Sequence, residues 1–469
     1  MLSPRRPSRV RASLYACHAE GATAEIFNAC AGGAVVTAWA LYLGAGAFTI
    51  GVLGALPLAA QLLQLPAAYL TRRFGPKSVT VIAVGGARLV WLPLVIVPLV
   101  DLPAATKLHV FVGVSALAAV FGVVGNNSWT AWMAELVPSR IRGRFFGRRG
   151  VFLSLAATPA SLGAAITLDH LTAQGARGEA LAGLAAAGCL VGVASMCLLQ
   201  RQHVSTPPAP QAPAHLSALL APLRDRTVRP YLWYLLAWNA AVGISASFAS
   251  FHMLKNLQTS FALAAAHAIA VATVRVITAP VCGAAVDRLG AWRVLALSSF
   301  GVAAVPVLWL LVTPDHLWPL AVEALIAGVL WSAHGIATMH LLLALPPAAE
   351  RPFYGAVFAA TGGLGFAVCS VLAGALATTL PDRLPFAEDW GPLHLLFALS
   401  ALARVGAATL AVGIEKPSPA RVQLLWRDLV PRHLRPVGAF YLLFGFTKPE
   451  YANVAAFKRI AATFRIAPK

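Results

Sequence analysis

Trp132–Gly150 reads WMAELVPSRIRGRFFGRRG, with five arginines (Arg140, Arg142, Arg144, Arg148, Arg149) set between two long apolar runs. The chain repeats the pattern in its second half. Pro138 matches Pro346, Phe145-Phe146-Gly147 matches Phe353-Tyr354-Gly355, and an apolar run follows each. A basic turn between apolar segments, present once per half, predicts a duplicated membrane protein.

Composition supports this. The 469 residues are 59% hydrophobic and only 11% charged, with a mean hydropathy of +0.74. A soluble domain needs about 25% charged residues to cover its surface. Apolar runs long enough for a bilayer core of about 30 Å recur throughout. Ile26 to Thr71 carries no charge, and Gly44, Gly46, Gly51 and Gly54 mark a turn in its middle, so it predicts a helical hairpin. The six cysteines show neither metal nor disulfide spacing and read as small buried hydrophobes, so no metal is expected. The formal charge of +19 would suggest nucleic acid in a soluble protein. Here the positive-inside rule accounts for it, and no nucleic-acid partner is expected. No removable signal peptide is apparent.

The expectation is an all-α polytopic membrane protein with twelve spans: 26–45, 47–70, 79–100, 108–132, 150–168, 180–200, 230–254, 260–283, 294–313, 317–344, 353–379 and 392–414. Most Lys and Arg fall on one side of that arrangement. Only Lys107, Arg177, Lys255 and Arg383 fall in loops on the other. This asymmetry predicts cytoplasmic N- and C-termini in the inner membrane. The domains expected are a cytoplasmic tail (1–25), a six-helix bundle (26–200), a proline-rich cytoplasmic loop (201–228), a second six-helix bundle (229–415) and a basic amphipathic tail (416–469) lying on the inner membrane surface.

A second match strengthens the repeat: Leu70-Thr71-Arg72-Arg73-Phe74-Gly75 aligns with Ala285-Val286-Asp287-Arg288-Leu289-Gly290. At these residues the sequence resembles the major facilitator superfamily. The run from Gly283 through Asp287, Arg288 and Gly290 to Arg293 is similar to its GxxxDRxGxxR loop signature. The first-half loop departs from it, with Ala68 for glycine and Arg72 for aspartate. The resemblance covers about residues 20–415. It implies two six-helix bundles rocking about a central site, with the signature loop as a latch and its aspartate facing a helix N-terminus of the other half, where a carboxylate is stabilised by about 0.3–1 kcal/mol. Arg72 stands where the second half has Asp287, and Glu350 stands where the first half has Arg142. Two latches are therefore expected, Asp287 with Arg142 and Arg144, and Arg72 with Glu350. Ordinary positive-inside charges are the alternative.

Ionisable groups inside spans cost about 2.5–3.5 kcal/mol each at the helix centre, so each invites a functional reading. Arg88 and Arg404 fall on spans that the resemblance makes peripheral supports. Arg275 on span eight is a substrate-contact candidate, whose alternative is snorkelling or pairing with Asp287. Glu25, Glu323 and His334 are proton-coupling candidates, with a partly solvated rim as the alternative for Glu323. On spans that the resemblance makes cavity-lining or flanking, Asn28, Gln61, Gln64, Asn126, Asn127, Trp129, Trp238, Asn239 and His334 are candidate substrate contacts. Interhelical hydrogen bonding is the alternative for each.

The function expected is secondary active transport of a small solute by alternating access, coupled to protons, by a monomer without a cofactor. No P-loop, HExxH or clustered catalytic set is present, so no enzyme is expected. Drug/proton efflux is one alternative, although the antiporter signature is degenerate at Thr158-Pro159-Ala160-Ser161-Leu162-Gly163. A transporter-like protein serving assembly, sensing or pigment and lipid handling is another.

Overall fold

A computed structural model describes residues 9–203, 222–347, 350–383 and 390–412. The tail 416–469 and most of the central loop lie outside the described residues. Among those described, twelve helical segments are long and apolar enough to cross a membrane, and there is no sheet. They are α1 (Ala12–Tyr42), α2 (Ala47–Phe74), α3 (Pro76–Ile96), α4 (Ala104–Leu136), α5 (Arg142–Ala173), α6 (Arg177–Gln200), α7 (Arg229–Asn256), α8 (Phe261–Leu289), α9 (Ala291–Trp309), α10 (Trp318–Ala344), α11 (Phe353–Thr379) and α12 (Pro392–Val412).

Two starts differ from the sequence expectation. Helix begins at Arg9, so residues 9–25 of the expected tail are helical, and the first span starts at Ala12. Polar His18, Glu20 and Glu25 lie within this added helix, and Glu20 is buried with partners. The arginine-rich stretch is also less of a loop than expected. After a short 3-10 turn at Ser139–Ile141, α5 starts at Arg142, and Arg144, Arg148 and Arg149 ride its first two turns.

The repeat is visible in the backbone. Gly75 and Gly290, paired by the sequence match, have φ of +83° and +90° with ψ of 146° and 143°. Only glycine adopts that conformation readily, and each caps the next helix. The first helix of each half is also interrupted near its middle. In α1 the break falls at Gly32 and Gly33 (φ +52°); in α7 the α-helix stops at Gly243 and resumes through a 3-10 turn at Ala246–Phe248.

Broken helices are tolerated in lipid only where the freed backbone groups find partners. Two side chains of α12 supply them. Ser400 Oγ donates to the Ala241 carbonyl at 2.6 Å, beside the α7 break, and Arg404 Nη2 donates to Ser245 Oγ at 3.1 Å. Its Nη1 donates to the Val302 carbonyl at 3.3 Å. Pro306, four residues on in α9, has no N–H for that carbonyl. Arg404 is therefore a structural bracket, as its peripheral position suggests. Arg404→Met should leave the Val302 carbonyl unsatisfied and cost about 1–3 kcal/mol, read as a clear fall in the melting midpoint of purified protein. An unchanged midpoint would refute the bracket.

The halves, α1–α6 and α7–α12, meet along two seams, α2 against α11 and α5 against α8. Contact is concentrated at the end away from the arginine-rich turns. Ser370 Oγ donates to the Gly51 carbonyl at 2.9 Å and bonds Ser247 Oγ at 2.7 Å. A Cβ at Gly374 would stand 2.8 Å from the Ala47 carbonyl oxygen. Toward the basic end the helices part: past the 3-10 turn at Ala60–Leu63, Tyr69 and Phe74 of α2 are 60% and 58% exposed.

Candidate functional site

Polar side chains in the middle of spans are exposed where the halves part. Gly21 of α1 packs against Arg149 and Leu153 of α5. Asn28 lies two turns farther along that side of the helix and is exposed. Asn126 on α4 is exposed one turn before Trp129, which touches Phe146 of α5. Asn127 beside it is half-buried. Gln64 Nε2 donates to Gln61 Oε1 at 2.6 Å, and Gln61 lies beside Gly363 of α11, where that seam ends. Asn239 on α7 is half-buried, donates to the Leu235 carbonyl at 2.8 Å and abuts Gly362. Arg275 on α8 is exposed and lines a cleft of about 360 Å³ with Ser332 and Gly335 of α10. It does not pair with Asp287.

Other candidates turn inward instead. Trp238 and His334 are buried inside the second half, stacked at 4.9 Å. Tyr234 Oη bonds His334 Nε2 at 2.9 Å and Ser299 Oγ at 2.8 Å. This places them in the bundle core, away from the parted wall. Trp129 is half-buried beneath Arg149, whose guanidinium lies 4.6 Å from the ring centroid. Glu323 is buried, not a solvated rim group. His267 Nε2 lies 2.7 Å from its Oε2, and Trp309 Nε1 donates to its Oε1 at 3.3 Å. Glu25 is half-buried on α1.

Sequence reasoning missed the densest ionic group, centred on Glu20. This carboxylate is 4% exposed. Arg88 Nη2 of α3 lies 3.4 Å from one of its oxygens, and Arg149 Nη2 of α5 lies 3.2 Å from the other. Ser195 Oγ of α6 also donates to it, at 3.2 Å. One acid thus ties four helices. The available signal was the pair of arginines facing apolar surroundings, each needing a counter-charge. His267 and Tyr234 were also missed, since nothing in their local sequence marks them.

At the far end a second overlooked acid bridges the halves. Asp169, in the last turns of α5, accepts from the backbone N–H of Phe261 and of Ala262, each at 2.8 Å. These are free donors in the first turn of α8. Arg177 of α6 stands 5.2 Å over the Phe261 ring.

The expected latch at Asp287 is not joined in this arrangement. Asp287 and Arg288 are exposed, and the ion pairs of Glu20 with Arg88 and Arg149, and of Glu323 with His267, lie elsewhere. Arg142 donates to the Ala134 and Val137 carbonyls at 2.7 and 3.3 Å, closing its own turn. Arg144 is exposed in a cleft beside Tyr15 and His18. Glu350 offers its backbone carbonyl to Phe353 and Tyr354 at the start of α11. Gly283 and Arg293 are half-buried on either side of the Gly290 turn.

The family model described as the Major Facilitator Superfamily matches residues 22–342. Among solved structures, the chain is similar to the nucleoside transporter NupG, with a TM-score of 0.61 at 12% identity, over 88% of this chain and 100% of that one. It is also similar to a D-xylose-proton symporter, with a TM-score of 0.65 at 15% identity, over 86% and 97%. At such identities the likeness is one of fold. No curated protein matches the chain by sequence.

Proposed function

The chain belongs to the major facilitator superfamily, and from that premise we propose that it moves a small polar solute across the inner membrane by alternating access, coupled to protons. One observation carries this reading: the halves are joined at one end and parted at the other, with Asn28, Asn126 and Arg275 exposed in mid-span. Polar groups at that depth belong to a water-filled space, since lipid would penalise them. The basic end is taken as cytoplasmic, because arginine and lysine gather there.

Asn28, Gln61, Gln64, Asn126, Asn239 and Arg275 form the proposed solute wall, and Arg275 favours an anionic or zwitterionic solute. Solved neighbours bear the names of a nucleoside transporter and a sugar symporter, so hydroxylated solutes join the trial set. Glu323, with His267, is the coupling candidate. Asp287, Arg142, Arg144, Arg72 and Glu350 would act when the basic end closes.

Counterflow of labelled nucleosides, sugars and amino or carboxylic acids into proteoliposomes tests the proposal. One class should exchange, and Arg275→Ala should slow it about tenfold or more, the scale of one lost charge-assisted contact. Dissipating the proton gradient should abolish accumulation while sparing exchange. No flux with any class, together with stable capture by another membrane protein, would overturn transport in favour of assembly.

A further inference from the structure

We propose that Asp169 is the far-end clamp of the transport cycle, holding α8 to α5 only while the basic end is open. Its two oxygens take two of the unpaired donors that begin α8. Charge-assisted bonds of this kind are about twice as strong as neutral ones, and they favour the positive end of the helix dipole. The contact crosses between halves, because Asp169 belongs to the first and Phe261 and Ala262 to the second. Arg177 reinforces it from the first half by covering Phe261 and donating to the Ala38 carbonyl at 3.1 Å.

The same two helices carry the opposite arrangement at their other ends. Asp287 lies in the last turn of α8, and α5 begins at Arg142. Each helix therefore ends in a carboxylate and begins with free donors, and the partner helix runs the other way. A rocking motion that separates one pair brings the other together. Asp169 is bonded to its helix start and Asp287 is exposed, as mutually exclusive clamps require. Asp169 is thus a positioning residue that weights one access state against the other.

The proposal rests on alternating access, but its test needs no solute. Reporter cysteines are introduced singly, Ser247→Cys in the far-end seam and Tyr69→Cys on the exposed basic end of α2. Maleimide labelling is then timed in the full-length protein over the parent chain's own labelling. Asp169→Ala should speed labelling at position 247 about tenfold and slow it at position 69, since closing one end opens the other. Asp287→Ala should do the reverse. Asp169→Asn, which keeps one acceptor oxygen, should fall between, and it serves if the alanine variant does not fold. Labelling faster at both positions would mean general loosening, and no change at either would mean no clamp; each overturns the proposal. A failed flux assay leaves these rates readable, so the two readings fail separately.

Discussion

Glu20→Ala is expected to be among the most destabilising single substitutions in the chain, costing about 3–5 kcal/mol, the usual result of removing one partner from a buried ionic group. Glu20 lies between Arg88 and Arg149 and also accepts from Ser195. Without it two guanidinium groups stay in a low-dielectric interior with no counter-charge. Arg88 Nη1 already lacks a partner. Melting of the purified protein and its folded yield would report the loss. Combining Glu20→Ala with Arg88→Met and Arg149→Met should recover much of it, because replacing a whole buried ionic group by apolar residues of similar volume is often neutral or stabilising. If the triple variant melts no higher than the single one, uncompensated charge is the wrong explanation and lost packing takes its place.

Gly51→Val is expected to abolish net flux, by about a hundredfold or more, while leaving the protein folded. Even a Cβ at this position would run into the Ser370 carbonyl, so the two helices approach too closely for any side chain. Gly374 faces the matching constraint from the Ala47 carbonyl. Seams this tight cannot yield gradually, because packed helices move between discrete arrangements. The valine should hold the far end apart, giving fast labelling of Ser247→Cys that Asp169→Ala no longer increases. Gly113→Ala, where a Cβ meets nothing within 4 Å, is the control and should behave as the parent. Normal flux in Gly51→Val would show that this seam need not close.

The membrane fold was legible because a bilayer demands long apolar runs, and the chain supplies them from Ile26 onward with little interruption. The repeat was legible through Gly75 and Gly290, whose shared backbone conformation needs glycine in both halves. The start of α1 was not, because a buried Glu20 looks polar until its partners on α3, α5 and α6 are known. Asp169 was hidden for a related reason: its ligands are backbone amides of a helix in the other half, which no side-chain pattern announces. Trp238 and His334 were expected on the cavity wall from the spans that carry them. A helix apolar on nearly every side gives little periodicity to say which face a residue takes, and these two face the core. Asn28, Asn126 and Arg275 are instead exposed.

Arg404 has a mechanical consequence. A break in α7 and a proline in α9 would each offer a joint about which a helix could flex. One guanidinium on α12 bonds beside both, so neither joint is free and the three helices form a splinted plate. Bending of the second half is thereby suppressed. In the proposed alternating access the second half would then tilt as a solid body, with displacement at one end passed undiminished to the other, as the blade of an oar follows its handle.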